Sequence, residues 1–150
     1  MQEKPKIYLD NCCFNRPYDD RTQLIVKLEA EAVLFIQNGI KKGEYELVWS
    51  YILDEENAAS PFPLKRQLVR RWKPWATVDI DPSDDVLQAA KVYESKGLRI
   101  MDALHLACAE CAKADFFITT DLKILNKRIK EIRTLNPIDF VRLYNEGVKQ

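Results

Sequence analysis

The sequence predicts an α/β fold in which helices cover both faces of a parallel sheet of four to five strands. Two observations carry this prediction. Short apolar runs alternate along the chain with longer segments whose apolar residues recur at helical spacing, which is the pattern of successive βαβ units. Acidic residues also follow the strands or begin the helices, and in parallel sheets such positions share the edge where ligands bind.

The strands are predicted from apolar or alternating runs of three to six residues. The first run ends in Asp10-Asn11, a dipeptide typical of a chain reversal. The predicted strands are residues 7–9, 45–50, 76–80, 116–119 and 132–135.

The first helix is predicted after a loop formed by the segment NRPYDD. Asp20 with Gln23 three residues later resembles a capping box, and Gly39 or Gly43 is expected to end the helix. Its apolar residues exceed what one face needs, so we expect the excess to meet another surface, because large exposed apolar patches are rare on monomers. They are Leu24, Ile25, Val26, Leu28, Val33, Leu34, Phe35, Ile36 and Ile40.

The remaining helices follow from local start and stop signals. Ser83 is an expected N-cap with Asp84 and Asp85 in the first turn, and Gly97 closes that helix. Pro137 favours the first position of the last helix. The other helices are predicted at residues 52–59, 64–72, 100–114 and 121–128, the third of them apolar nearly all round and therefore buried.

Carboxylates from four places are predicted to meet at one edge of the sheet. They are Asp10 after KIYL, residues 54–56 after YELVWS, Asp102 before ALHLACA and Asp121 after FFITT. Buried together, they repel one another unless a cation lies between them, and oxygen ligands suit Mg²⁺ or Mn²⁺. The sequence therefore indicates a metal-dependent site for phosphodiester cleavage. Taken singly, each acid also fits a turn or a helix cap, but Asp102 heads an otherwise buried helix and fits that role least well.

The composition limits the number of domains, the mode of nucleic-acid binding and the location that we expect for the protein. The 150 residues fit one domain, residues 1–150, and 47% are hydrophobic, enough for a core. Lys plus Arg and Asp plus Glu both number 23, so any nucleic acid must be bound by a local basic patch. No apolar run approaches the roughly 20 residues of a membrane span, and the N-terminus lacks the apolar core of a signal peptide. We expect a cytoplasmic protein with no membrane partner.

The four cysteines are predicted to be core residues. Cys12 and Cys13 are adjacent, so in extended backbone their side chains point to different sides. Cys108 and Cys111 form a CxxC inside a helical stretch, where that spacing means one face. Zinc or redox chemistry is disfavoured because the usual paired CxxC motifs are missing.

The segments IYLDNCCFNRPYDD, WSYILDEEN and RIMDALHLACAECAKADFFITTD follow one another along the chain and span residues 7 to about 125. In this order they resemble the PIN domain, and more narrowly the prokaryotic PIN proteins related to the toxin halves of VapBC-type toxin–antitoxin pairs. The resemblance implies a three-layer α/β/α sandwich and an Mg²⁺- or Mn²⁺-dependent ribonuclease. It also implies a cognate antitoxin, which like a homodimer partner would cover the apolar first helix.

The resemblance places the family's acidic quartet on Asp10, one glutamate of DEEN, Asp102 and Asp121. Glu56 matches the family's segment better than Glu55, although helical register leaves both open. Asp10, Asp102 and Asp121 are the implied metal ligands.

Other implied roles concern the substrate and the surroundings of the acids. Arg16, Asn11 and Thr120 are predicted to contact RNA, with Thr119 as the alternative hydroxyl; Asn11 stands where many relatives have Thr or Ser. His105 lies one turn after Asp102, as a packing residue or in contact with the acids.

The stretch LKRQLVRRWKPW is a second candidate RNA surface, because it combines cations with tryptophans. A solvated helix face with tryptophans packed on the core explains it equally well.

Other classes fit less well. A dinucleotide-binding domain needs GxGxxG, and none of the four glycines has that spacing. Asp10-Asn11-Cys12 does not match the Asp-x-Asp of haloacid dehalogenase-type phosphatases. The remaining alternative is a catalytically inactive PIN scaffold that acts by binding protein or nucleic acid.

Overall fold

The computed structural model describes the backbone of residues 4–149 and the side chains of residues 4–144. Within that range five parallel strands form one sheet in the order β3-β2-β1-β4-β5. The strands are β1 (Lys6–Leu9), β2 (Glu46–Ser50), β3 (Ala76–Ile80), β4 (Phe116–Ile118) and β5 (Arg133–Leu135). The helices that flank the sheet are α1 (Asn11–Asn15), α2 (Leu24–Lys41), α3 (Tyr51–Ala58), α4 (Pro63–Arg70), α5 (Asp84–Ser95), α6 (Ile100–Cys111), α7 (Leu122–Leu125) and α8 (Pro137–Lys149). The predicted parallel α/β/α architecture is confirmed.

The position of the three central strands, β2, β1 and β4, explains why their sequences are apolar without alternation. Ile7, Tyr8 and Leu9 of β1 are fully buried, as are Leu47 and Val48 of β2. A central parallel strand is covered on both faces, so both sets of side chains must be apolar or hydrogen-bonded. The edge strand β3 keeps alternating exposure.

Serine caps and a glycine fix the ends of several helices, and two of these signals, Ser83 and Gly97, are the ones that the sequence predicts. The hydroxyls of Ser50 and Ser83 accept hydrogen bonds from the backbone N–H groups of Leu53 and Val86, and thereby cap α3 and α5. Gly97, with φ of +92°, follows α5 in the left-handed conformation that favours glycine.

The chain directly after β1 forms the short helix α1, which Asp10 caps with its side chain, where Asp10-Asn11 indicates a turn. The expected capping box at Asp20 is also wrong. Asp20 accepts a hydrogen bond from the N–H of Thr22 in a local turn, and α2 begins only at Leu24. Polar side chains that bind nearby backbone stabilise turns as readily as helix starts, which explains both errors.

The predicted extents of two later helices are too long. Helix α6 ends at Cys111 instead of residue 114, and Lys113 has φ of +58°. Helix α7 ends at Leu125 instead of residue 128, and Arg128 has φ of +52°. In both places the chain turns into the left-handed region, which interrupts the helix.

Gly39 and Gly43 have different roles at the end of α2. Gly43 has φ of +75° just beyond the helix, so it acts as the stop signal. Gly39 lies inside α2 against the ring of Tyr45, and a Cβ there would fall 2.2 Å from a ring carbon. A glycine is therefore needed at position 39 because the helix packs closely against Tyr45.

The cysteines only partly follow the core prediction. Cys108 and Cys13 are buried, but Cys111 is exposed and Cys12 is partly exposed. Cys12 and Cys13 belong to helix α1, so the extended-backbone argument does not apply to them.

One side of α2 remains exposed although it is apolar. Leu24, Leu28 and Phe35 are 70%, 43% and 42% exposed. Leu28 and Phe35 line a shallow groove with Ile138 and Val141 of α8. None of the described helices is long and apolar enough to cross a membrane.

Candidate functional site

The site lies at the carboxyl edge of the sheet, where β1 and β4 end at the same level. Leu9 pairs with Ile118, so Asp10 and Thr119 are the next residues on adjacent strands. The N–H of Asp10 donates to the carbonyl of Ile118 at 2.9 Å, which extends the ladder by one bond. The parallel pairing of β1 and β4 therefore places Asp10 beside Thr119, two residues before Asp121.

Asp10 is a buried carboxylate fixed by three protein groups. Its Oδ1 accepts the N–H of Asn11 at 2.8 Å, and its Oδ2 accepts the hydroxyl of Thr119 at 2.8 Å. The Cys12 thiol lies 3.5 Å from Oδ2. Thr119 in turn accepts the N–H of Asp121 at 3.0 Å, so one hydroxyl couples the first acid to the last.

Glu56 reaches the same site from the second turn of α3. Its Oε1 lies 3.0 Å from Nε2 of His105 on α6, and the same Nε2 lies 3.9 Å from Oδ1 of Asp10. Glu55 is exposed and does not belong to this cluster. The structure therefore brings Glu56, and not Glu55, to Asp10.

The polar atoms of Asp10, Glu56 and His105 form a cluster that could hold a metal ion, because one ligand atom from each lies within 4.8 Å of the others. Oxygen donors dominate this set, which suits Mg²⁺ or Mn²⁺. The side-chain oxygen of Asn11 is buried beside the cluster without a hydrogen-bond partner among the described residues. The donors present therefore fit a divalent ion.

Asp102 and Asp121 complete the acidic environment. The pKa of Asp102 is raised to about 6, first by burial and then by the negative charges of Asp10 and Asp121. Asp121 caps α7 by accepting the N–H of Lys123 at 2.9 Å. The charges of the other three predicted acids thus act on Asp102, although neither Asp102 nor Asp121 belongs to the cluster of Asp10, Glu56 and His105.

Burial also acts on the pKa values of Asp10 and His105. It raises the pKa of Asp10, against the opposing influence of His105 and Thr119. Burial acts to lower the pKa of His105, but the hydrogen bond to Glu56 and the charge of Asp10 outweigh it, so that pKa is raised. The acids and the imidazole are electrostatically coupled in the metal-free protein.

The residues predicted to contact RNA differ in the groups that their side chains contact. Arg16 lies near the site, but its guanidinium contacts Asp19 at 3.0 Å, Glu29 at 3.3 Å and the hydroxyl of Thr120 at 2.9 Å. Thr120 is thereby tied to Arg16, whereas Thr119 is the hydroxyl that contacts Asp10.

The basic stretch near α4 is largely engaged within the protein. Lys65 pairs with Asp19 at 3.5 Å, and Lys73 pairs with Asp54 at 2.9 Å. Trp72 packs partly on the core, while Trp75 is 46% exposed. These contacts favour the interpretation of this stretch as a packed and solvated helix face.

Sequence reasoning missed the inner half of the site. Tyr8 lies in the middle of β1, yet its hydroxyl is 2.6 Å from Nδ1 of His105 and 2.7 Å from the hydroxyl of Ser50. A tyrosine in a fully buried strand was the available signal, since a buried hydroxyl requires a partner.

The fold and the site define an α/β protein with an acidic cluster at the carboxyl edge of a parallel sheet. The sequence profile of the PIN domain matches residues 7–130. The chain therefore belongs to the PIN domain family. No curated protein matches the chain in sequence.

Among solved structures, the chain is similar to one in the crystal structure of VapBC2 from Rickettsia felis bound to a DNA fragment from their promoter. The two share 18% sequence identity with a TM-score of 0.57, over 87% of this chain and 98% of the other. At this identity the likeness establishes the fold.

Proposed function

We propose that the protein is a metal-dependent endoribonuclease that cleaves phosphodiester bonds of RNA. The observation that carries the proposal is the convergence of Asp10, Glu56 and Asp121 on Asp102, whose pKa is raised to about 6 first by burial and then by the negative charges of these acids. Such repulsion is retained in a fold at a cost, and a bound cation removes it. Membership of the PIN family and the likeness to the VapBC2 structure support the same activity.

In this proposal Asp10, Asp102 and Asp121 hold Mg²⁺ or Mn²⁺, with Glu56 as the fourth acid. When bound, the ion supplies an activated water and offsets negative charge on the phosphate. The protein's own contribution is to keep the oxygens in place. Thr119 and the N–H of Asn11 orient Asp10.

The proposed path of the RNA passes a cleft of about 380 Å³ beside the acids. Arg99, Lys123 and Lys127 line it together with Asp102. None of these three cations forms an ion pair within residues 4–144, in contrast to Arg16, Lys65 and Lys73. A chain with no net charge requires such a local patch to bind phosphates. Asn11, Thr120 and Arg16 do not line this cleft and remain proposed contacts of the RNA.

The test is cleavage of a fluorescently labelled RNA with Mg²⁺ or Mn²⁺, compared with the same reaction in EDTA. Glu56→Gln should lower the rate at least about 100-fold, because a metal ion contributes several kcal/mol to such reactions. Glu55→Gln is the matched control on the adjacent, exposed residue and should retain the wild-type rate. Equal rates for both variants would contradict the assignment of Glu56. A folded wild-type protein without metal-dependent cleavage would favour the inactive scaffold.

We also propose that the protein is the toxin half of a toxin–antitoxin pair and acts in the cytoplasm, where its RNA substrates are. The supporting observation is the exposed apolar side of α2, defined by Leu24, Ile25, Leu28, Leu34 and Phe35. A homodimer partner and an antitoxin segment are the proposed occupants of this surface. Light scattering of the protein alone and with its co-expressed neighbouring gene product tests both. A strict monomer that binds no such product would contradict the pairing.

A further inference from the structure

A chain of three buried polar side chains, Ser50, Tyr8 and His105, connects the interior of the sheet to Glu56. The hydroxyl of Ser50 lies 2.7 Å from that of Tyr8, and the Tyr8 hydroxyl lies 2.6 Å from Nδ1 of His105. On the other side of the ring, Nε2 lies 3.0 Å from Oε1 of Glu56. The side chain of His105 is 1% exposed, so water does not replace these contacts.

The direction of the hydrogen bonds follows from the partners at each end. Glu56 is an acceptor as a carboxylate, so Nε2 of His105 carries the hydrogen that it donates. In a neutral imidazole Nδ1 then accepts the hydroxyl hydrogen of Tyr8, and Tyr8 accepts the hydroxyl hydrogen of Ser50. Ser50 is fixed in turn because its oxygen accepts the N–H of Leu53 at 3.2 Å. The side-chain polar atoms of Ser50, Tyr8 and His105 all have a partner in this arrangement.

The arrangement fixes Glu56 by one oxygen only. Its Oε1 is held by His105, and no described hydrogen bond involves Oε2, which leaves that oxygen available to an ion. The side chain of Glu56 is 33% exposed and longer than that of an aspartate, so without this donor it would sample several rotamers.

We propose that Tyr8 and His105 form a positioning relay that holds Glu56 in the orientation needed for metal binding. The proposal rests on the proposed metal-dependent function. His105 acts through Glu56, because its Nε2 donates to Oε1 of Glu56 at 3.0 Å; to bind the ion as the third member of the cluster it would have to give up that hydrogen bond. A packing role alone would not require a histidine, since an apolar side chain fills a buried position without a desolvation cost.

Two substitutions of His105 separate the relay from packing. In His105→Gln the amide nitrogen stands near the position of Nε2 and can still donate to Glu56. In His105→Asn the shorter amide stands near Nδ1, so it keeps the contact with Tyr8 and loses Glu56. Mn²⁺ affinity, measured by electron paramagnetic resonance of free Mn²⁺, should fall at least about 10-fold in His105→Asn and less in His105→Gln. Equal affinity of the two variants, or the reverse order, would overturn the relay.

Tyr8→Phe tests the inner half of the relay, and Tyr93→Phe is its control. Tyr93 is as fully buried as Tyr8 but lies on α5, away from the acids. Tyr8→Phe should weaken Mn²⁺ binding several-fold, and Tyr93→Phe should leave it unchanged. Equal affinities in the two variants would contradict the relay even where the His105 variants fold poorly.

Glu56→Gln distinguishes failure of the relay from failure of the proposed function. If His105 acts through Glu56, His105→Asn should weaken Mn²⁺ binding no further in the Glu56→Gln background. A further drop would show that His105 binds the ion by another route. Wild-type Mn²⁺ affinity and RNA cleavage in Glu56→Gln would overturn the proposed role of Glu56, whereas loss in Glu56→Gln with wild-type behaviour of His105→Asn would overturn the relay alone.

Discussion

Replacement of Asp102 by asparagine should stabilise the metal-free protein at neutral pH. The folded protein raises the pKa of Asp102 from 3.8 to about 6, so folding disfavours its charged form. Well below pH 3.8 the group is protonated in both the folded and the unfolded chain, so it contributes no penalty. As the pH rises from 3.8 to about 6, the carboxyl ionises in the unfolded chain before it does so in the folded chain. The cost of ionising it in the folded chain therefore grows over this range and reaches its full value above pH 6. Asparagine carries no such penalty at any pH.

The size of the effect follows from the shift. A change of about two pKa units at 1.36 kcal/mol each gives an upper limit of about 3 kcal/mol. Asp102 is only half-buried, and solvent screening reduces the expected gain to about 1–2 kcal/mol. Excess Mn²⁺ should reverse the order, because an ion that binds the folded wild type adds stability that the variant cannot match.

Urea unfolding in EDTA at pH 4 and at pH 7.5 measures this difference directly. Asp81→Asn is the control, since Asp81 is exposed in the loop before α5. We expect Asp102→Asn to exceed the stability of the wild type by less at pH 4 than at pH 7.5, and Asp81→Asn to differ little from the wild type at either pH. A metal-free variant less stable than the wild type at pH 7.5 would refute the repulsion on which the site assignment depends.

Three further predictions concern packing and assembly. Gly39→Ala should lower the free energy of unfolding by about 1–3 kcal/mol, because its Cβ would fall 2.2 Å from the Tyr45 ring; a gain, as glycine-to-alanine changes in open helices produce, would contradict this packing. Cys111→Ala should leave stability within about 0.5 kcal/mol of the wild type and Cys108→Ala should lower it more, with RNA cleavage retained in both; stoichiometric zinc in the purified protein would refute the structural role. Phe35→Glu should lower the mass measured by light scattering if the exposed side of α2 joins two copies, and an unchanged assembly would place the contact elsewhere.

The strands and several caps were predictable because their signals are local. The continuous apolar run of β1 and the Ser83 cap each depend on a few neighbouring residues. Helix α1 was missed because Asp10-Asn11 is equally typical of a turn, and only the fold shows that Asp10 caps a helix. Local patterns therefore identified most elements and misplaced some of their ends.

The site was predictable as a set of acids but not as a geometry. Glu55 and Glu56 differ by about 100° around a helix, so a register uncertain by one residue could not separate them. The contact between Tyr8 and His105 joins residues 97 positions apart, and the local sequence of β1 shows only that a buried tyrosine needs a partner, without identifying His105. Likewise, Arg16 is engaged by Glu29 of α2, a contact that only tertiary structure creates.

The measurement that tests the central claim most directly is the anomalous X-ray signal of crystals grown with Mn²⁺. The account predicts one strong peak at the carboxyl edge of the sheet, about 2–2.5 Å from a carboxylate oxygen of Asp10. Asp102 and Asp121 should bind the same ion directly or through water, and the peak should be lost in Asp10→Asn. A wild-type crystal with no peak at these acids, or with Mn²⁺ bound equally well in Asp10→Asn, would contradict the account.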